Sequence, residues 1–268
     1  MSLVQESAAS VAERFLTARR AATGLPDYPG ELPETLDQAY AIQDQAIAAW
    51  NRPISGWKVG RIVEPLSDRF GTDRLAGPIF STCFAGGNGS VPEMPVFSEG
   101  FAAGEAEFLL RVGSEPPSGK TRFTLDEAAD LISSVNVGIE IASSPLGAIN
   151  DIGPVAVISD FGNNNGIVIG PEIPDWRSSG FEDWTVTTRI DGVGIGSGKA
   201  SSFPDGAIGA ARFLFELLAK RGIAVTAGQW ISSGAVTGVH DARPGQVVEA
   251  LFDDRLSVRC RLVAATSQ

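Results

Sequence analysis

"AGEAEFLLRV", residues 103–112, sets two glutamates, Glu105 and Glu107, one residue apart inside a run that otherwise reads as a buried β-strand. Successive side chains of a strand alternate faces, so the two carboxylates point the same way and lie close enough to repel. Left unpaired in an apolar interior, such a pair would shift its protonation or destabilise the fold, whereas a divalent cation between them stabilises both charges. An isolated Glu-x-Glu is more often part of an edge strand with its acids in water. A third acid changes that balance: "VNVGIEIAS", residues 135–143, places Glu140 among Val137, Ile139 and Ile141 in another apolar run. Three glutamates on two strands form an oxygen-only set suited to Mg²⁺ or Mn²⁺, with coordination positions left for water and substrate. No His or Cys accompanies them, so zinc is not expected.

"GWKVG", residues 56–60, raises a parallel question, because Lys58 sits between Trp57 and Val59 and the chain has lysines only at 58, 120, 199 and 220. Either its ammonium snorkels to solvent from an edge strand, or it faces the acidic site and holds a substrate carboxylate or moves a proton. "DGVGIGSGK", residues 191–199, does not make a phosphate-binding loop: position 193 is Val, and Ala200 follows Lys199 where Ser or Thr is required. The segment also follows a hairpin instead of leading from a strand into a helix, so nucleotide binding is rejected. His240 is the only histidine, which excludes two-histidine mechanisms, and no G-x-S-x-G elbow accompanies it. It reads as a loop residue that borders the pocket or faces solvent.

The whole chain sets limits on these readings. Its 268 residues, 43% of them hydrophobic, can bury a substantial core, and the net charge of −11 argues against nucleic acid or an anionic membrane surface as partner. Cys83 and Cys260 are too few for a disulfide framework and lack zinc-ligand spacing, so two buried thiols in a reducing cytoplasm are expected. The opening "MSLVQESAASVAERFLTARRAATG" has no basic stretch followed by an apolar one, and no run reaches about 18 apolar residues, so neither a secretory signal nor a membrane span is expected.

Periodicity predicts a helix over 5–20 with Val11, Phe15 and Leu16 on its apolar face, and a second over 35–50 behind a Thr35–Gln38 capping box. Beyond residue 55 short β-rich runs take over: "GWKVG", "EAEFLLRV", "SVNVGIEIAS", "GIVIG", "WTVTTRI", "QWISSG", "QVVEALF" and "LSVRCRLV", with a hairpin turning at Asp191-Gly192. Two helices interrupt them, one at the Thr124–Glu127 capping box leading into "AADLISSV", the other from Pro204 to Arg221. Regular βαβ alternation is absent, which disfavours Rossmann and TIM architectures. The expectation is an α+β protein with a helical N-terminal segment, 1–55, and a β-rich catalytic core, 56–268, together one structural unit.

"GWKVG", "GEAEFLL", "VGIEIAS", "DFGNNNGIVIG" and "AGQWISSGAVTG…RPGQVVEALFDDRLSVRCRL" occur in an order and rough spacing that resembles the 2-keto-4-pentenoate hydratase and 4-oxalocrotonate decarboxylase branch of the fumarylacetoacetate hydrolase superfamily, from about residue 35 to the end. The resemblance implies a mixed, rolled β-sheet core and Mg²⁺ or Mn²⁺ held by Glu105, Glu107 and Glu140. It matches Lys58 to an active-site lysine, Thr237 in "SGAVTG" to a pocket-lining threonine, and Asp160 in "DFGNNNG" to a loop near the substrate. It implies a lyase acting on a small 2-oxo or 2-hydroxydienoic acid, 2-keto-4-pentenoate hydratase-like first. A 4-oxalocrotonate-type decarboxylase, an acylpyruvate hydrolase or a noncatalytic partner subunit of such an enzyme are the alternatives. A dimer-based homo-oligomer, and association with a related decarboxylase or hydratase, are implied as well. Two departures stand out. Where the hydratases carry Pro-Asp-aromatic-Gly, "DRLAGPIF" has Leu75 and Ala76 before Gly77, which leaves proton transfer without that Asp; and no His precedes position 240 to form the His-Glu pair of the C–C hydrolases.

Overall fold

The computed structural model describes residues 7–85 and 91–268. Helix α1 (Ala8–Ala21) starts at Ser7, whose side chain accepts from the Ser10 amide, and α2 (Leu36–Trp50) starts at Thr35 with both halves of the capping box formed. Gln5 and Glu6, included in the expected first helix, lie outside the described residues. The chain then runs through β1 (Gly56–Arg61), α3 (Leu66–Phe70), β2 (Arg74–Ile79), β3 (Thr82–Phe84), β4 (Glu93–Val96) and β5 (Phe101–Val112). Next come α4 (Leu125–Asp130), β6 (Ile132–Ser144), α5 (Ile149–Ile152), α6 (Pro154–Ser159) and β7 (Asn164–Glu172). The remainder is β8 (Val186–Ile190), β9 (Val193–Gly198), α7 (Gly206–Lys220), β10 (Trp230–Ser232), β11 (Val247–Phe252) and β12 (Leu256–Ala264).

Among the described residues the strands form two mixed sheets, ordered β2-β1-β10-β5-β6-β7-β3 and β4-β12-β11-β8-β9. The pairs β1/β10, β3/β7 and β4/β12 are parallel and the others antiparallel. The hairpin expected at Asp191-Gly192 joins β8 to β9, both turn residues having positive φ as a two-residue turn of this hand requires. The helix read into "AADLISSV" stops at Asp130, because the β-branched residues that follow enter the long strand β6. Cys260 is buried, but Cys83, on the short edge strand β3, is only half-buried.

Alternation along the central strands gives the large sheet two different faces. Trp57, Val59, Ala106, Phe108, Leu110, Val137 and Ile139 point to one side, where the small sheet and the apolar stripe of α7 (Ala207, Ala211, Leu214, Leu218) cover them. There Phe108 stacks edge-on against Phe252 at 5.2 Å between ring centres. On the opposite side the sheet rolls inward, so that Ile79 of β2, Leu109 of β5 and Ile167 and Ile169 of β7 share one cluster with Trp230. The register puts Glu105 opposite Glu140 and Glu107 opposite Gly138 on this inner side.

The N-terminal helices pack against the rolled sheet through Phe15, Leu16, Ile42 and Ala46, which meet Leu146, Ile149 and Phe161. Helix α2 also caps the edge strand β2: the Ala76 amide donates to the Tyr40 hydroxyl, and Gln43 Nε2 donates to the Ala76 carbonyl at 3.0 Å. Side chains thus satisfy backbone groups that an open edge would leave available to another strand. No helix among the described residues is long and apolar enough to cross a membrane.

Candidate metal centre and cavity

Glu105, Glu107 and Glu140 meet on the inner side of the rolled sheet, each offering a carboxylate oxygen within 4.8 Å of the others. Glu107 and Glu140 are fully buried and Glu105 is 5% exposed. One oxygen of each fully buried acid is already engaged. Glu107 Oε2 accepts from Ser232 Oγ at 2.5 Å and from the Gly234 amide at 2.8 Å; Glu140 Oε1 accepts from Asn164 Nδ2 at 2.9 Å. Glu107 Oε1 and Glu140 Oε2 are buried with no hydrogen-bond partner. Buried acceptors are almost always satisfied, so two orphaned anionic oxygens beside a third carboxylate are what a hard divalent cation would complete. The donor set fits Mg²⁺ or Mn²⁺: three carboxylates with no nitrogen or sulfur.

Among the described residues, Lys58 is the single cation packed against this trio. It lies on β1 opposite Ser232 of β10, and its Nζ reaches across the roll to within 3.5 Å of Glu140 Oε1. Gly77 and Gly162 make that reach possible. A Cβ on Gly77 would stand 2.3 Å from the Phe161 carbonyl; one on Gly162, whose φ is +69°, would come within 2.9 Å of both the Gly77 Cα and the Lys58 Cδ. The two backbones therefore close directly over the lysine stem.

The charge imbalance appears in the protonation of these groups. Burial first, and then the charge of Glu140, pushes Glu105 up to about 8, with Lys58 pulling the other way. Glu107 is raised well above the carboxylate range by burial and by Glu140 and Glu105. Burial alone would lower the Lys58 ammonium, but the carboxylates, Glu140 foremost, hold it above its ordinary value and keep it charged.

Glu105, Glu107 and Lys58 open onto a cavity of about 510 Å³, with Arg61, Asn150 and Asn163 also in its wall and Glu140 buried behind it. Leu75, Val157 and Phe203 are among its apolar lining. The resemblance did not point to Arg61, nor to Asn163, whose buried Oδ1 is unpartnered, nor to Asn164 and Ser232, which hold the acids in place. The sheet brings Arg61, Asn164 and Ser232 to the site, and the turn that leads into β7 brings Asn163.

The other two expected residues sit elsewhere. Asp160 is 1% exposed and is not part of the cavity wall: its carboxylate takes Arg19 Nε at 2.5 Å, Arg19 Nη2 at 3.0 Å and Ser144 Oγ at 2.5 Å. Both of its oxygens are spoken for, and it locks helix α1 to the end of β6. Thr237 lies between the cavity-lining Val236 and Gly238, but its hydroxyl is hydrogen-bonded to Thr188 Oγ1 at 2.7 Å. His240 is half-buried, and its Nε2 bonds the Thr237 carbonyl at 2.8 Å outside the cavity.

No protein-family model and no curated protein sequence matches the chain. Solved structures do. The 4-oxalocrotonate decarboxylase from Pseudomonas putida G7, complexed with magnesium and adipate, is similar over 98% of this chain and 99% of its own, with a TM-score of 0.80 at 18% identity. Fumarylpyruvate hydrolase from Pseudomonas aeruginosa, in complex with Mn²⁺ and pyruvate, is similar over 78% of this chain and 89% of its own, with a TM-score of 0.55 at 15% identity. The 2-hydroxyhepta-2,4-diene-1,7-dioate isomerase from Mycobacterium marinum is similar over 80% of this chain and 77% of its own, with a TM-score of 0.56 at 16% identity. The chain has the fold of the fumarylacetoacetate hydrolase superfamily.

Proposed function

We propose that the chain belongs functionally to that superfamily as a divalent-metal-dependent lyase acting on a small 2-oxo or 2-hydroxydienoic acid. The observation that carries this reading is the buried trio Glu105, Glu107 and Glu140, with Glu107 Oε1 and Glu140 Oε2 left without a partner, beside a charged lysine and next to a cavity of substrate size. A bound Mg²⁺ or Mn²⁺ would offset the excess negative charge and supply a Lewis acid for the 2-oxo end of the substrate. The similar decarboxylase and hydrolase were both solved with a divalent cation and a small carboxylic acid, which supports the same assignment here.

Within this class, loss of CO₂ from a vinylogous 2-oxo acid fits the site better than the hydration that the sequence resemblance puts first. Adding water calls for a base that removes a proton from it. Leu75, in the cavity wall, stands where the hydratases carry their Asp, and among the described residues the wall offers neither Asp nor His. When CO₂ departs, the bonding pair stays with the organic fragment, and one proton must be returned to it. Lys58, held charged by the acids around it, carries that proton at Nζ next to the site.

Metal-stripped protein supplied with Mg²⁺ and a panel of conjugated 2-oxo acids tests the proposal by ultraviolet loss of the chromophore and by release of CO₂. Metal-dependent decarboxylation is the expected result. Turnover without CO₂ would return hydration to first place, and metal binding without turnover of any acid would reassign the chain as a noncatalytic partner subunit. A dimer-based homo-oligomer, alone or with a related enzyme, is part of the same proposal, and light scattering of the purified chain measures it.

A further inference from the structure

The turn that leads into β7 serves two cavities. Asn163 lines the one beside the acidic trio, while Phe161 and Asn164 line another, of about 220 Å³. Trp50 and Phe80 join Phe161 in this second wall, and the three rings meet one another with centres 4.9 to 6.4 Å apart. The wall also holds two arginines, Arg19 and Arg52, and among the described residues it contains no Asp or Glu. Their charges are matched differently. Arg19 is paired with Asp160. Arg52 is exposed, its guanidinium carbon lies 4.6 Å from the centre of the Trp50 ring, and its Nη2 donates to the neutral side-chain amide of Gln268. No side-chain carboxylate pairs with Arg52 among the described residues.

A guanidinium without a counter-charge, set in a recess walled by aromatic rings, calls for an anion with a flat apolar body. The rings offer faces and edges to a further ring, and the guanidinium offers a carboxylate charge-assisted hydrogen bonds. An apolar cavity of about 150 Å³ takes up benzene, so the larger space here has room for one ring and its carboxylate. We propose that this cavity is a second binding site, separate from the metal-dependent one, for a small aromatic carboxylate. Arg52 receives the carboxylate, and Trp50, Phe80 and Phe161 meet the ring. An inorganic anion would engage Arg52 and leave the rings uncovered; a neutral arene would cover the rings and leave the charge of Arg52 unanswered. The proposal goes beyond the functional reading and stands apart from it, because neither Arg52 nor any of the three rings lines the cavity beside the trio.

Calorimetry of the full chain in EDTA with benzoate and benzamide, which share a ring and differ in charge, tests this. The wild type is expected to bind benzoate, and benzamide at least about tenfold more weakly. Arg52→Gln, a change at an exposed position, should weaken benzoate by about tenfold or more and leave benzamide as it is. Phe80→Leu, which keeps an apolar side chain but removes one ring, should weaken both ligands together by roughly two- to tenfold, with circular dichroism confirming the fold. Arg61→Gln, the corresponding change in the other cavity, should leave benzoate affinity unchanged. The site is overturned if the wild type fails to bind benzoate, binds benzamide equally well, or keeps its benzoate affinity in Arg52→Gln or in Phe80→Leu. Loss of benzoate through Arg61→Gln would place the anion in the cavity beside the trio and overturn it as well.

Discussion

Two clusters of buried charge lie within this fold and differ in their balance. Around Asp160 one carboxylate meets one guanidinium: Arg19 binds both of its oxygens and Ser144 donates a further hydrogen bond. Around Glu140 three carboxylates meet a single ammonium, and two oxygens have no hydrogen-bond partner among the described residues. The first arrangement is complete as the chain folds and ties α1 to the strand ends. The second is incomplete by charge and by hydrogen bonding, and a group from outside the chain is needed to finish it. Burial alone therefore does not mark a functional acid; burial with uncompensated charge does.

Removing one member of the balanced pair should give the largest effect on stability. Arg19→Ala leaves Asp160 charged and buried without its partner, and a loss of about 3–5 kcal/mol in urea unfolding is expected. Cation affinity of the protein that remains folded should not change, because Asp160 is outside the cavity wall. A drop in both quantities together would erase the distinction between the clusters.

The unbalanced cluster should show itself next through pH. Folding raises Glu105 from 4.5 to about 8 and Glu107 upward as well, so between those values the folded, metal-free chain holds protons that the unfolded chain has released. Stability of the metal-free protein should accordingly fall as pH rises through that window. Saturating Mg²⁺ should flatten the dependence by replacing those protons. Thermal unfolding from pH 5 to 8.5 with EDTA or Mg²⁺ measures it, and a metal-free chain that gains stability toward pH 8 would contradict the pairing described here.

A smaller effect is expected from Ser232→Ala, which removes one donor to Glu107 Oε2 and leaves the Gly234 amide in place. Mg²⁺ affinity should weaken by about tenfold, as for other groups that orient a metal ligand. Ser144→Ala, the corresponding change beside Asp160, should leave that affinity as it is.

The acidic trio was legible in the sequence because strand periodicity puts Glu105 and Glu107 on one face, and because Glu140 interrupts an apolar run that has no other reason to carry an acid. The same logic found the long strands, the capping boxes at Thr35 and Thr124 and the hairpin at Asp191. It missed β2, β3 and β4, which are short edge strands; two of them contain a proline, Pro78 and Pro95, that reads as a break. Asp160 illustrates the harder limit. Its loop position suggested contact with substrate, but the partner that captures it, Arg19, is 141 residues away in the chain, and no local pattern announces such a pair. Ser232 and Asn164 reach the acids only through the sheet order, so their roles became visible with the register.

Whether Glu105, Glu107 and Glu140 bind a divalent cation is measured most directly by titrating Mn²⁺ into metal-stripped protein and counting bound ions from the loss of the free-ion signal in electron paramagnetic resonance. One ion per chain is expected for the wild type, displaced by excess Mg²⁺ and abolished by Glu107→Gln, with circular dichroism confirming that the variant is folded. A wild-type chain that leaves the Mn²⁺ signal untouched, or a Glu107→Gln variant that binds as the wild type does, would contradict the account.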